Sequence, residues 1–218
     1  MVAKRRQLAA EALGSAILTG VVIGSGILAA ELAGGAAGLA LVGNTLATSA
    51  ILFVLILCLG PVSGAHFNPV VSAVMAWRGE LTMAAAFAFA GVQILGCLAG
   101  AAFANLMFDR PALHLATTDR SGLGPLLGEA AATGLLVLAI LGARRHGLIA
   151  VAAAVSLVIA AGYWWTASTS FANPAITVAR AFSDTFAGIR PADAPGFVAA
   201  QCFGAALAAP LSRWLFGD

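Results

Sequence analysis

Six apolar runs, each long enough to cross the hydrocarbon core of a bilayer, leave this chain few ways to fold. They read as residues 8–30, 38–59, 81–108, 124–142, 148–166 and 195–216. About 20 such residues suffice for a spanning helix. A backbone without water to bond to must satisfy itself, and runs of this length do so as helices. Of the 218 residues, 61% are apolar and 9% charged, against about 25% charged in a soluble domain. With a mean hydropathy of +0.98, no solvated globular surface can be assembled. The basic start Lys4-Arg5-Arg6 has the look of a signal peptide, but the run behind it is too long for an h-region and five more follow, so it is read as the first span. A net charge of +2 gives no electrostatic footprint for nucleic acid. Cys58, Cys97 and Cys202 each sit inside an apolar run, which implies core filler rather than a disulfide or metal framework.

Lysine and arginine orient the spans. With both termini in the cytoplasm, Lys4, Arg5, Arg6, Arg78, Arg144, Arg145 and Arg213 lie inside, and Arg110, Arg120, Arg180 and Arg190 outside. The excess follows the positive-inside rule, and Trp164, Trp165 and Trp214 at span ends suit an aromatic belt.

Two stretches break the pattern of simple spans: Ser63-Gly64-Ala65-His66-Phe67-Asn68-Pro69-Val70 and Ser168-Thr169-Ser170-Phe171-Ala172-Asn173-Pro174-Ala175. Asn as N-cap with Pro at the first helical position is a helix-start signal. A helix over 68–78 would rise about 16 Å, half the hydrocarbon thickness. Each stretch therefore predicts a half-helix starting near the midplane. The flanks repeat too. Glu11 and Glu129 stand 118 residues apart, Asn68 and Asn173 105 apart, and the Gln-x-x-Gly segments at Gln93 and Gln201 108 apart. Three spans per repeat is odd, so the second copy is inverted, a recurring transport architecture. The fold expected is an all-α membrane protein of six transmembrane helices plus two re-entrant half-helices. It forms one domain over 1–218, with inverted repeats at about 8–108 and 124–216.

On these residues the chain resembles the major intrinsic proteins, the aquaporin and aquaglyceroporin family, with Val70 in place of the usual Ala. The resemblance implies one pore per subunit, a homotetramer in the lipid bilayer, water and small neutral solutes as permeants, and no cofactor. In such a pore two helix amino ends, each equivalent to about half a positive charge, would oppose cations. Asn68 and Asn173 would donate hydrogen bonds to a passing oxygen and interrupt a proton-conducting chain of waters.

The chain departs from the family where most members carry Arg three residues after the second Asn. That position is Ile176, and Arg180 stands one turn further, expected in the outer vestibule. Counting from the asparagines completes a filter of Thr48, Ala161, Ser170 and Ile176, small-sided and uncharged. The Arg-less motif resembles a bacterial branch associated with arsenic resistance, which implies the inner membrane of a bacterium. A wide filter predicts passive flux of glycerol-like polyols, urea or arsenite-type metalloid hydroxides. Should Tyr163, Trp164 or Phe171 fold inward, the pore becomes water-selective instead. A proton-coupled transporter using Glu11 or Glu129 is a further alternative. Their one-per-repeat symmetry favours a structural role, accepting backbone N–H groups of the loops, with Gln93 and Gln201 as braces and the His66 ring packed. Gly20, Gly24, Gly96 and Gly100 have the spacing of close helix crossings. No acid–base pair, nucleophile or metal cluster points to an enzyme.

Overall fold

The structure, a computed structural model, describes residues 4–217. Eight α-helices and no strand occur among them: α1 (Arg5–Leu32), α2 (Ala37–Ser63), α3 (Pro69–Trp77), α4 (Met83–Met107), α5 (Leu123–Ala143), α6 (Leu148–Trp165), α7 (Pro174–Arg180) and α8 (Ala194–Phe216). Six of them are long and apolar enough to cross a membrane. α3 and α7, of 9 and 7 residues, are not.

Both short helices begin as the motif predicts. Asn68 accepts from the Val70 N–H at 3.0 Å, and Asn173 accepts from Ala175 at 3.0 Å and Ile176 at 3.3 Å, each with Pro at N1. α2 runs through Pro61, past the expected end at Leu59, and stops at Gly64. That residue, at φ 93, closes the helix with a left-handed cap, its N–H on the Gly60 carbonyl at 2.9 Å.

α1, α2, α3 and α4 correspond in turn to α5, α6, α7 and α8. α1 packs on α4 and α2, and α5 packs on α8 and α6, while α7 also lies against α4 and α3 against α8. The half-helices therefore knit the two repeats together at the centre. Each main crossing is made by glycine. An ideal Cβ on Gly96 would stand 2.3 Å from the Ala12 carbonyl oxygen, and one on Gly204 2.0 Å from that of Ala130. The outer faces carry exposed leucine, phenylalanine and Trp164, Trp165 and Trp214, as contact with lipid tails and headgroups requires. Cys97 is buried against the Ser15 carbonyl, whereas Cys58 and Cys202 are exposed on that outer surface, so only one cysteine fills the core.

Candidate functional site

The two loops that precede α3 and α7 line the centre of the molecule with irregular backbone. Ala65 and Phe67 have φ of 52° and 48°, and Ser170 and Ala172, the residues 105 further on, 51° and 47°. Left-handed conformations cost a non-glycine residue about 1 kcal/mol or more, so something must over-determine them. Glu11 does so in the first repeat. Its carboxylate, fully buried, accepts from the backbone N–H groups of His66 at 3.0 Å and Phe67 at 2.7 Å, from Ser63 Oγ at 2.6 Å and from Gln93 Nε2 at 2.8 Å. Glu129 accepts from the N–H groups of Phe171 and Ala172, both at 2.8 Å, and from Gln201 Nε2 at 2.5 Å. The glutamines also donate onward, Gln93 to Ser72 Oγ at 3.1 Å and Gln201 to Thr177 Oγ1 at 2.9 Å. Those hydroxyls in turn donate to the carbonyls of Asn68 and Asn173. Ser72 and Thr177 are functional residues that the sequence reading misses, although the signal is there: a hydroxyl four residues after each Asn.

The asparagines meet at the centre. Asn68 Nδ2 donates to the Ala172 carbonyl at 2.7 Å, and Asn173 Nδ2 donates to the Phe67 carbonyl at 2.7 Å. Each carboxamide has a second N–H left, and both residues line a cavity of about 460 Å³. This cavity runs from Gln7, Glu80 and Arg144, at the face where α1 begins and α8 ends, to Arg180 towards the opposite face. Leu18, Leu52, Ile56, Leu136, Val155 and Ile159 make much of its wall apolar. His66 also lines it; its Nδ1 lies 3.0 Å from Ser72 Oγ and its ring packs edge-on to Phe89. No group of three or more His, Cys, Asp or Glu able to hold a metal lies among the described residues.

Near Arg180 the cavity is lined by Thr48, Ser170 and Ile176, all buried. Ala161 is not with them. It is exposed on the far side of α6, whose inward residues are Val155, Ile159 and Tyr163. Two residues along a helix is about 200° around its axis, so a count that lands on Ala161 when the inward residue is Tyr163 lands on the wrong face. Tyr163 hydroxyl donates to Thr48 Oγ1 at 3.3 Å, and Phe171 lines the same segment, while Trp164 points outward. The ring is therefore not as small-sided as predicted, because Tyr163 stands in it. Arg180 is buried, and it lines both this cavity and a second one of about 470 Å³ towards the face opposite the termini.

At the mouth near the termini, Glu80 joins the repeats. Its Oε1 accepts from Arg144 Nη1 at 2.7 Å and Arg78 Nε at 2.9 Å, and its Oε2 pairs with Arg144 Nη2. The hydrogen bonds from Arg144 above all, then from Arg78, hold the carboxyl below the usual carboxylate range, against the opposing effect of partial burial. A depressed folded-state value means the stabilisation is present above the unfolded value and is lost as pH falls through the folded one. The group is largely exposed, so the gain is modest, about 1 kcal/mol at most. Wild type should lose melting temperature faster than E80Q between about pH 6 and pH 3; parallel curves in a detergent melt would discard the linkage.

An all-helical inverted repeat, with two half-helices abutting beside a long cavity, is the architecture of a membrane channel. The major intrinsic protein family matches over residues 1–144. Aquaglyceroporin AqpS of Rhizobium meliloti (strain 1021) is 51% identical over 210 residues, covering 96% of this chain and 90% of the relative. The X-ray structure of the aquaglyceroporin from Plasmodium falciparum superposes with a TM-score of 0.70 at 21% identity, covering 96% of this chain and 98% of that one, a likeness of fold. The chain belongs to the major intrinsic protein family, and as such is an integral membrane channel for water and small solutes.

Proposed function

We infer that this channel passively conducts water together with larger uncharged polar solutes: glycerol-like polyols, urea and undissociated arsenite-type metalloid hydroxides. The observation that carries the reading is the pair of carboxamides, each with one N–H committed to the opposite loop and one facing the cavity. Two donors at the centre of a largely apolar tube replace part of the hydration a hydroxylated solute sheds, and they bind nothing tightly enough to stop it. The apolar wall suits the carbon side of a polyol. The name of the rhizobial relative, an aquaglyceroporin, agrees with this class. Thr48, Ser170, Ile176 and Tyr163 form the selecting ring, Glu11, Glu129, Gln93 and Gln201 hold its loops, and Pro69, Val70, Pro174 and Ala175 open the half-helices. The family resemblance supports a homotetramer, and the arginine excess supports cytoplasmic termini in a bacterial inner membrane.

One observation favours a narrower, water-selective pore as the second reading: the Tyr163 hydroxyl reaches across to Thr48. Swelling of proteoliposomes separates the two. Wild type is expected to pass water, glycerol, urea and arsenous acid, equilibrating each without concentrating it under a pH gradient. Y163A should raise the glycerol-to-water permeability ratio several-fold. Vesicles open to water yet closed to the other three would establish the water-selective reading instead.

A further inference from the structure

Two arginines on the side of the termini lie on aromatic rings rather than on acids. Arg213, in the last turn of α8, holds its Cζ 4.2 Å from the ring centroid of Trp77, the last residue of α3. Arg145, in the link from α5 to α6, holds its Cζ 5.6 Å from the centroid of Phe216. Phe216 stands one turn beyond Arg213, and its ring is seated on Gly142, where an added Cβ would lie 2.8 Å from it. The end of α8 thus carries both contacts. Neither arginine makes a hydrogen bond or an ion pair among the described residues. Glu80 is the one carboxylate on this side among those residues, and Arg78 and Arg144 occupy it. Glu11 and Glu129 are buried under the loops, and Glu31, Asp109, Asp119, Asp184 and Asp193 lie at the opposite end of the helices. Arg145, Arg213, Trp77 and Trp214 are all exposed.

We propose that Arg213, Arg145, Trp77 and Trp214 form a binding site for the headgroup of an anionic phospholipid in the leaflet on the side of the termini, with its phosphate on the two guanidinium groups. The inference rests on the chain being a membrane channel and on no particular solute. A guanidinium over a ring still has N–H groups to offer, and a phosphate oxygen accepts them as charge-assisted hydrogen bonds. The ring face meanwhile offsets part of the hydration the cation gives up. Trp77 and Trp214 suit the depth at which aromatic residues meet headgroups. Away from the patch the surface suits a hydrocarbon chain. Cys202 and Ala206 share the face of α8 that bears Arg213, and Ala73 stands one turn before Trp77 on α3. All three are small and exposed, and the exposed Phe203 and Leu207 border them on α8. This small-sided strip beside an apolar ridge runs from the arginines towards the midplane, as an acyl chain does. A second copy of the chain is the other occupant such a face could take. In the same orientation in the membrane, that copy brings to this side more arginine and only a Glu80 already bonded twice, so it leaves both guanidinium groups unanswered. A phosphodiester answers them.

Native mass spectrometry of the purified channel in neutral detergent tests this, with phosphatidylglycerol or phosphatidylcholine titrated onto wild type, R213A, R145A, R213A/R145A and R5A. Wild type should retain phosphatidylglycerol in preference to phosphatidylcholine. R213A and R145A should each weaken that retention about fivefold, as loss of one arginine at a charged lipid surface predicts, and the double variant should lose the preference altogether. Arg5 is exposed on the same side but outside the patch, so R5A should bind as wild type does. R145A, on another element, repeats the test should R213A not fold. Equal retention of the two lipids by wild type would overturn the site. So would a loss in R5A as large as that in R213A, which would show diffuse surface charge. An R213A that keeps its lipid but falls to a smaller oligomer would give the face to a second copy instead. Retention is read without flux, so a wild type closed to glycerol would refute the proposed permeants and not this site.

Discussion

Gly204→Ala, a change of one methyl group, is expected to destabilise the protein by about 3 kcal/mol or more, at the upper end of what overpacking costs. A Cβ at that position would stand 2.0 Å from the Ala130 carbonyl oxygen and 2.9 Å from the Ala130 Cα. Both are backbone atoms, so no side chain can swing away and the helices α5 and α8 must part. In lipid the apolar effect does not hold helices together, and close packing carries a larger share of their association. Parting also unmakes a polar contact. Gln201 lies three residues before Gly204, and Glu129 one residue before Ala130, so the crossing that glycine permits is what brings amide and carboxylate to 2.5 Å. The first repeat is built alike, with Gly96 on Ala12 beside Gln93 and Glu11. Gly91, on α4, is the control, because a methyl group added there would have nothing within 4 Å. There alanine should be neutral or stabilise by up to about 1 kcal/mol through helix propensity. Detergent melting temperatures decide it: G204A melting with G91A would refute the backbone-contact argument.

This coupling explains why so much is legible in the sequence. Lipid forces every apolar run into a helix, and the two Asn-Pro motifs mark where helices must begin inside the bilayer, so spans and half-helices can be read with few errors at their ends. α2 runs four residues past the apolar run that ends at Leu59, staying helical through Pro61 until the left-handed Gly64 ends it. The residues that hold the loops are also visible, because Glu and Gln recur at matched places. Ser72 and Thr177 recur as faithfully, but hydroxyls are common enough to pass for filler. What the sequence hides is geometry across elements. Counting along the chain leads to Ala161, and a count carries no information about which face of α6 looks inward. Nor does the sequence show that Arg180, one turn beyond Ile176, lies over the Phe171 ring, 3.2 Å from its centroid.

Glu129→Leu should cost about 4 kcal/mol or more and abolish solute flux, because three buried donors lose their acceptor together. The N–H groups of Phe171 and Ala172 and the Gln201 amide all donate to this one fully buried carboxylate. The damage crosses between the repeats. Ala172 holds φ 47° while its carbonyl accepts from Asn68, so a loop released from Glu129 withdraws the partner that fixes the other carboxamide. Glu129→Gln should fall between, since an amide offers one acceptor oxygen and turns its own donors towards N–H groups that already need one. The same variants separate a structural carboxylate from a proton carrier. For a carrier, E129Q would assemble and melt like wild type while its flux lost pH dependence, and wild type would accumulate solute under a pH gradient. For the structural role, melting temperature and flux fall together from wild type through E129Q to E129L, and wild type only equilibrates its solute at any imposed gradient.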